Sequence, residues 1–358
     1  MAIGSRTVRS LFPEPEPIAD RDRDPNSRYP PGPASLWSGM KKQLLAGIAA
    51  ASMVAIALTG CSDEGATAGS GMNDVTIGVI PGADLAPLYL GLDQGFFTSE
   101  GITLRINSLA SKTSGIVTAV AEGNYDFGYG DALSLLIALE QDQPLSIISG
   151  AASTSGISSF DYAAVIVNAG SEITGMADLG GHSVGVDSLR TTNDLLVRNA
   201  IDTAGGSSAS IELKEIAFID AAQAVADGTV DAALVVEPFA TEARLNGMRV
   251  ISYPYAEFDP ALTVSAYFTS STIAEDDPDL VSRFVAALTK SIEFAEESEY
   301  DVRDNINTYI GAGADVRSRL ALPVFAQEVD RGAAEKLVAA AGKYGMLREQ
   351  PDLDSILP

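Results

Sequence analysis

Two carboxylates, Asp131 and Glu237, stand at equivalent points of an internal echo and are the first residues to weigh for chemistry. Ala119-Val120-Ala121-Glu122-Gly123-Asn124-Tyr125-Asp126 returns in type as Ala224-Val225-Ala226-Asp227-Gly228-Thr229-Val230-Asp231. Each copy reads as a helix ended by an acid and a glycine cap, then a short strand, then a carboxylate opening the next helix. Ligands of open α/β sheets sit beyond the carboxyl ends of the strands. Two such halves set face to face would therefore put Asp131 and Glu237 on opposite walls of one cleft, looking at each other. Acids at helix starts also stabilise the helix dipole, which explains either one alone equally well.

Three further loops carry groups suited to holding a small solute. Pro81-Gly82-Ala83-Asp84 follows the opening strand, with Leu88 and Tyr89 in the helical turns beyond, where Tyr89 either packs on a ligand or joins the core. Ser111, Lys112, Thr113 and Ser114 open a helix, an arrangement that serves as an anion site or as a plain N-cap. Ser188, Arg190, Thr191, Thr192 and Asn193 stand before another helix, and Arg190 could grip a sulfonate or carboxylate with both arms or neutralise nearby acids. Gly130 beside Asp131, and Ser153 within Ala151–Ser155, complete the set with Glu237. Facing acids disfavour a bare anion and suit an amine or a hydrogen-bonding ring. A zwitterion such as taurine would satisfy both Arg190 and the acids.

The chemistry these residues offer is binding. His182 is the only histidine and Cys61 the only cysteine, which removes Ser-His-Asp and Cys-His catalysis except for a catalyst needing one imidazole. A single cysteine also excludes an intramolecular disulfide and a thiolate zinc site. His182, after Gly180-Gly181 in a turn before a strand, reads as structural. No enzyme activity, cofactor or metal is expected. Residues 1–60 hold seven Lys/Arg and five Asp/Glu, leaving 16 and 43 in the rest of a chain whose net charge is −25. Such a surface repels nucleic acid and anionic headgroups.

From Met40 the chain reads MKKQLLAGIAAASMVAIALTGCS, with Lys41 and Lys42 before an apolar run, Leu44–Leu58, too short for a typical membrane span. Residues 40–60 are therefore expected to be an export signal. Its end, Leu58-Thr59-Gly60-Cys61, resembles the lipobox of bacterial lipoproteins, which implies lipidation of Cys61 and anchoring on the extracytoplasmic face of the membrane. Residues 61–73 suit a flexible tether, and 1–39 read as a disordered extension or a mis-assigned start.

From Val75 onward, β-rich runs alternate with helical patterns, the mark of α/β architecture with mostly parallel sheets. Strands are expected at Val75–Ile80, Ile102–Asn107, Tyr125–Tyr129, Leu145–Gly150, Ala163–Val167, Ser183–Val186, Ile211–Ile216, Asp231–Val235, Val250–Tyr253 and Leu262–Thr269. Helices are expected at Leu85–Ser99, Ser114–Glu122, Asp131–Gln141, Asn193–Ala204 and Pro278–Glu297. At 358 residues the chain is longer than one hydrophobic core usually serves, so its folded part is expected to form two domains.

Ile77-Gly78-Val79-Ile80-Pro81, Ala86-Pro87-Leu88-Tyr89-Leu90-Gly91 and Gly95-Phe96-Phe97-Thr98-Ser99-Glu100-Gly101-Ile102 carry a wider likeness. With the two echo segments, Ala177-Asp178-Leu179-Gly180-Gly181, Val184-Gly185-Val186 and Glu237-Pro238-Phe239, the chain over about residues 75–300 resembles substrate-binding proteins of the nitrate/taurine/alkanesulfonate type, which serve ABC importers. The same superfamily includes binders of thiamine-precursor pyrimidines and a pyrimidine-forming enzyme that wants Lys and His together in its pocket. The resemblance implies a two-lobed periplasmic-binding-protein-like (type II) fold, with two doubly wound sheets joined by two crossover strands. Lobe 1 would be 74–160 plus 260–358, lobe 2 161–259, and the return crossover would pass through Tyr253-Pro254-Tyr255 and Phe258-Asp259-Pro260. It implies that the loop around Arg190 is the main contact of the second lobe. It further implies a monomer that captures a small molecule and hands it to an ABC permease and its ATPase. A ligand-sensing lipoprotein that feeds no importer is the alternative the residues leave open.

Overall fold

The computed structural model describes residues 72–108 and 112–358, all within one compact unit, Thr67–Pro358. The expected extension, export signal and Cys61, most of the tether, and Ser111 lie outside the described residues. The chain first lays down β1 (Asn73–Gly78), α1 (Ala86–Asp93), β2 (Ile102–Asn107), α2 (Thr113–Ala121), β3 (Phe127–Asp131), α3 (Ala132–Glu140) and β4 (Leu145–Ser153). It crosses through residues 154–162 and builds β5 (Ala163–Val167), β6 (Ser183–Val186), α4 (Thr192–Thr203), β7 (Glu212–Glu215), α5 (Phe218–Ala226), β8 (Ala232–Val236), α6 (Phe239–Leu245) and β9 (Arg249–Ser252). The return crossing carries α7 (Pro254–Phe258), and β10 (Thr263–Ser270), α8 (Pro278–Glu297), β11 (Val324–Phe325) and α9 (Arg331–Lys343) follow.

Two sheets result, ordered β11-β4-β10-β3-β1-β2 and β7-β6-β8-β5-β9. In the first, β1 runs parallel to β2 and β3, and β10 enters antiparallel between β3 and β4. In the second, β6 runs parallel to β7 and β8, and β5 enters antiparallel between β8 and β9. The inserted strand is in each case the one that has just crossed from the other lobe. This is a two-lobed, type II periplasmic-binding-protein fold. Every residue of β5 and β8 is buried, as a strand covered on both faces requires.

The sequence echo is a structural echo, down to single hydrogen bonds. Gly123 and Gly228 end α2 and α5 at φ of 74° and 77°, a left-handed conformation that glycine adopts without penalty. Asp126 Oδ2 accepts from the main-chain N–H of Thr76 in β1 at 2.7 Å, and Asp231 Oδ2 from that of Ser183 in β6 at 2.8 Å. In return Asp126 N donates to Thr76 O at 2.9 Å, and Asp231 N to Ser183 O at 3.0 Å.

Three details depart from expectation. The helix read over Leu85–Ser99 breaks after Asp93, because Gly95 turns left-handed at φ 74° and restarts a short helix, Phe96–Ser99. The return crossing, expected to be extended, holds α7 with Pro254 in its first turn. Strand β11 has only two residues, too few to show an alternation. α9 packs against α3 and α4, so one apolar cluster, including Leu136, Val165, Leu196 and Leu337, runs through both lobes.

The crossings meet at Asp161, which is 1% exposed. Its carboxylate accepts from Thr154 Oγ1 (2.5 Å), Ser155 N (2.8 Å), Tyr162 N (2.8 Å) and Ala256 N (3.1 Å), the last from the return crossing. Asp161→Ala leaves buried main-chain donors unpaired, and urea denaturation should show a loss of about 3 kcal/mol. A change within about 0.5 kcal/mol, the size of a neutral surface substitution, would mean that the crossings are not tied here.

Candidate ligand-binding cleft

The carboxyl ends of β1, β3, β6 and β8 converge between the lobes on a cavity of about 70 Å³. Three aspartates line it: Asp84 after β1, Asp131 at the end of β3 and Asp187 after β6. Tyr129, Tyr162, Tyr255 and Phe218 supply aromatic walls, and Asn193 and Ser265 add polar groups. Among the described residues, no lysine, arginine or histidine lines it.

Each carboxylate is held by neutral donors. The hydroxyl of Tyr129 donates to Asp84 in a short hydrogen bond and lies 2.7 Å from Ser265 Oγ. Asp131 caps α3, accepting from Ser134 N and Oγ at 2.8 Å each, and reaches across the cleft to Thr192 N at 3.1 Å. Asn193 donates to Asp187 at 2.6 Å and accepts from the Tyr255 hydroxyl. With no cation against them, burial decides their titration. Desolvation lifts the Asp84 and Asp131 carboxyls above the ordinary range despite their hydrogen bonds. Burial, aided by the negative charge of Asp131, pushes Asp187 up to about 6.

Of the residues expected at the site, Asp84, Thr113, Gly130, Asp131 and Asn193 line this cavity, and Thr192 borders it through its N–H bond to Asp131. A second, larger pocket of about 350 Å³ takes Lys112, Ser114, Ser188, Arg190 and Thr191, with Thr113 lining both. Here Lys112 pairs with Glu215 of the other lobe at 2.6 Å. The Ser188 hydroxyl is buried with no hydrogen-bond partner among the described residues. Arg190, at φ 60°, donates its guanidinium to the Met346 carbonyl at 2.6 Å and leaves the inner cavity.

Tyr89 stacks on Tyr309 with ring centroids 4.0 Å apart and packs against the first lobe's core. Ser153 lies 3.2 Å from Thr263 Oγ1 within the first sheet, away from the cavity. Glu237 does not look at Asp131. Its carboxylate is 1% exposed and is occupied by Thr241 N (2.9 Å), Thr241 Oγ1 (2.7 Å) and Ala321 N (3.1 Å), with Arg244 at 3.6 Å. The residues missed from sequence are Asp187, Tyr129, Tyr162, Tyr255, Phe218 and Ser265. Asp187 had a signal, since it follows its strand as Asp131 ends β3.

A family model described as NMT1/THI5 like matches residues 83–298, more than half of the chain. The chain belongs to the NMT1/THI5-like family. No curated protein matches this NMT1/THI5-like chain. Among solved structures, the alkanesulfonate-binding protein SsuA of Xanthomonas axonopodis pv. citri, bound to MOPS, is similar at a TM-score of 0.66 and 17% identity, covering 79% of this chain and 96% of that one. The ligand-binding component of an ABC-type import system from Staphylococcus aureus, with zinc bound, reaches 0.69 at 12% identity, over 80% and 96%. The periplasmic nitrate-binding protein NrtA of Synechocystis PCC 6803 reaches 0.65 at 11%, over 79% and 84%. At such identities the likeness is one of fold.

The raised Asp187 carboxyl fixes the sign of a pH effect in this NMT1/THI5-like protein. An Asp at about 6 in the folded chain and near 3.8 when unfolded binds more protons folded. Its ionisation therefore costs stability above pH 6, and the cost disappears as pH falls towards 4. Asp187→Asn should raise the melting temperature by several degrees at pH 7.5 and by clearly less at pH 5. Equal shifts at both pH values would show that Asp187 titrates as an ordinary surface acid.

Proposed function

We propose that this protein is an extracytoplasmic solute-binding lipoprotein that captures a small molecule between its lobes and delivers it to an ABC importer. The observation that carries the ligand class is a cavity that the described residues line with three carboxylates and no cation. Those carboxylates are unsatisfied by charge, so a solute bearing amino or ring N–H donors, protonated or neutral, gains charge-assisted hydrogen bonds there. A bare nitrate or sulfonate meets only repulsion. The tyrosine and phenylalanine walls favour a flat ring that presents its edge to the acids. An amino-bearing ring compound of the thiamine-precursor pyrimidine kind fits both features, and the resemblance to a superfamily that includes binders of such rings supports it.

Asp84, Asp131, Asp187 and Asn193 would read the ring's polar edge, and Thr113 and Gly130 would border it. A cavity of about 70 Å³ is small beside the roughly 300–1,000 Å³ of drug-sized pockets, so the lobes part and reclose around the ligand. A second reading, an aminosulfonate such as taurine, draws on Lys112 and Arg190 in the adjoining pocket, which could receive the sulfonate while the acids hold the ammonium. The binding components of ABC-type import named among the structural neighbours support delivery to a permease and its ATPase. Lipidation at Cys61 would keep the protein at the membrane, with a monomer as the delivering form.

Titration calorimetry against an aminopyrimidine, taurine, a simple alkanesulfonate and nitrate tests the ligand class. The aminopyrimidine should bind tightest, and Asp131→Asn should weaken it about 10- to 100-fold, the loss of one charge-assisted contact. Heat with nitrate or the alkanesulfonate alone would refute the amino-ring reading. For the anchor, labelled palmitate should enter the wild-type chain in a bacterial host and not Cys61→Ser; equal labelling would rule out the lipobox.

A further inference from the structure

The two acids of the internal echo do not share the cavity, yet their surroundings match. Asp131, in the first lobe, accepts from the main-chain N–H and the hydroxyl of Ser134 in the first turn of the helix that follows it. It then takes one main-chain N–H from the second lobe, that of Thr192 at 3.1 Å. Glu237, in the second lobe, accepts from the main-chain N–H and the hydroxyl of Thr241 in the first turn of its own following helix. It then takes one main-chain N–H from the first lobe, that of Ala321 at 3.1 Å. The main chain adds to the second contact, because Ala83 N, beside Asp84 in the first lobe, donates to Glu237 O at 3.1 Å.

We infer that Asp131 and Glu237 are reciprocal latches of lobe closure, and that Glu237 is a positioning residue for binding although it never lines the cavity. Each is anchored rigidly in its own lobe by two hydrogen bonds, so its bond to the other lobe is made only when the lobes are shut. A charge-assisted bond to an N–H is stronger than a neutral one, and each bond lost on opening leaves a buried or half-buried carboxylate one donor short. The duplicated topology explains why there are two. An acid closes the third strand of each repeated half, and each takes a main-chain N–H from the other lobe. The wall residue Asp131 couples the latch to the ligand directly, whereas Glu237 acts through the position of the loop that carries Asp84. The inference rests on the reading of the cleft as a site that closes on a solute.

The test reads closure without a ligand, so it can fail or succeed independently of any calorimetric result. Spin labels on cysteines replacing Thr118 and Glu212, exposed positions in opposite lobes, report the interlobe distance in the full chain carrying Cys61→Ser. Glu237→Gln, which keeps the shape and removes the charge, should raise the ratio of open to closed molecules about 10-fold, the size of one charge-assisted hydrogen bond. Ala321→Pro, which deletes the donor in the first lobe and leaves Glu237 in place, should do the same, so the test survives if one variant does not fold. Asp231→Asn is the control, since among the described residues that carboxylate bonds within its own lobe alone, to Ser183 and His182, and it should leave the distances unchanged. Unchanged distances in Glu237→Gln and Ala321→Pro, or an equal change in Asp231→Asn, would overturn the assignment.

Discussion

A carboxylate leaves water only where donors replace its hydration, and Asp161 is where that requirement shapes the whole molecule. Its two oxygens collect donors from residues 154, 155 and 162 on the outgoing crossing and from residue 256 on the return. Strand β5 begins immediately after the first of these segments, and β10 soon after the second. Each sheet is completed by an antiparallel strand delivered from the opposite lobe, so neither can be assembled independently of that knot. Together with the apolar cluster that α9 shares with both lobes, this buried carboxylate ties the two halves where the chain crosses between them.

The cleft shows how charge is distributed in so acidic a chain. Cations near the seam are engaged elsewhere: Lys112 with Glu215, Arg244 with Glu237 and Arg190 with the carbonyl of Met346. What remains at the strand tips is negative charge held by hydroxyls and amides alone. Burial in that partly dehydrated space raises the proton affinity of Asp84, Asp131 and Asp187, and on the proposed reading the same negative field would draw in a donor-rich solute.

The echo from Ala119 to Asp126 and from Ala224 to Asp231 was legible as repeated topology because its signals are local. A glycine that must turn left-handed and an acid that must meet the first strand leave marks in adjacent residues. The direction of a side chain leaves no such mark. Asn193 lines the cavity, while Arg190, three residues earlier, adopts a left-handed φ of 60° and sends its guanidinium to the C-terminal segment. Tyr89 had a partner, Tyr309, that is more than two hundred residues away in sequence, so its place in the core could not be read locally.

Taken alone, the sequence determined an α/β chain of two related halves, the strand tips at which a solute would be met, and the scarcity of groups for catalysis. These follow from periodicity, caps and composition, which act over a few residues. Only the tertiary structure decided which acids share the cavity, that Asp187 joins Asp84 and Asp131, and that Glu237 is taken up by Ala321. Those outcomes depend on which donors from distant segments arrive first at each buried oxygen, and that is settled by packing.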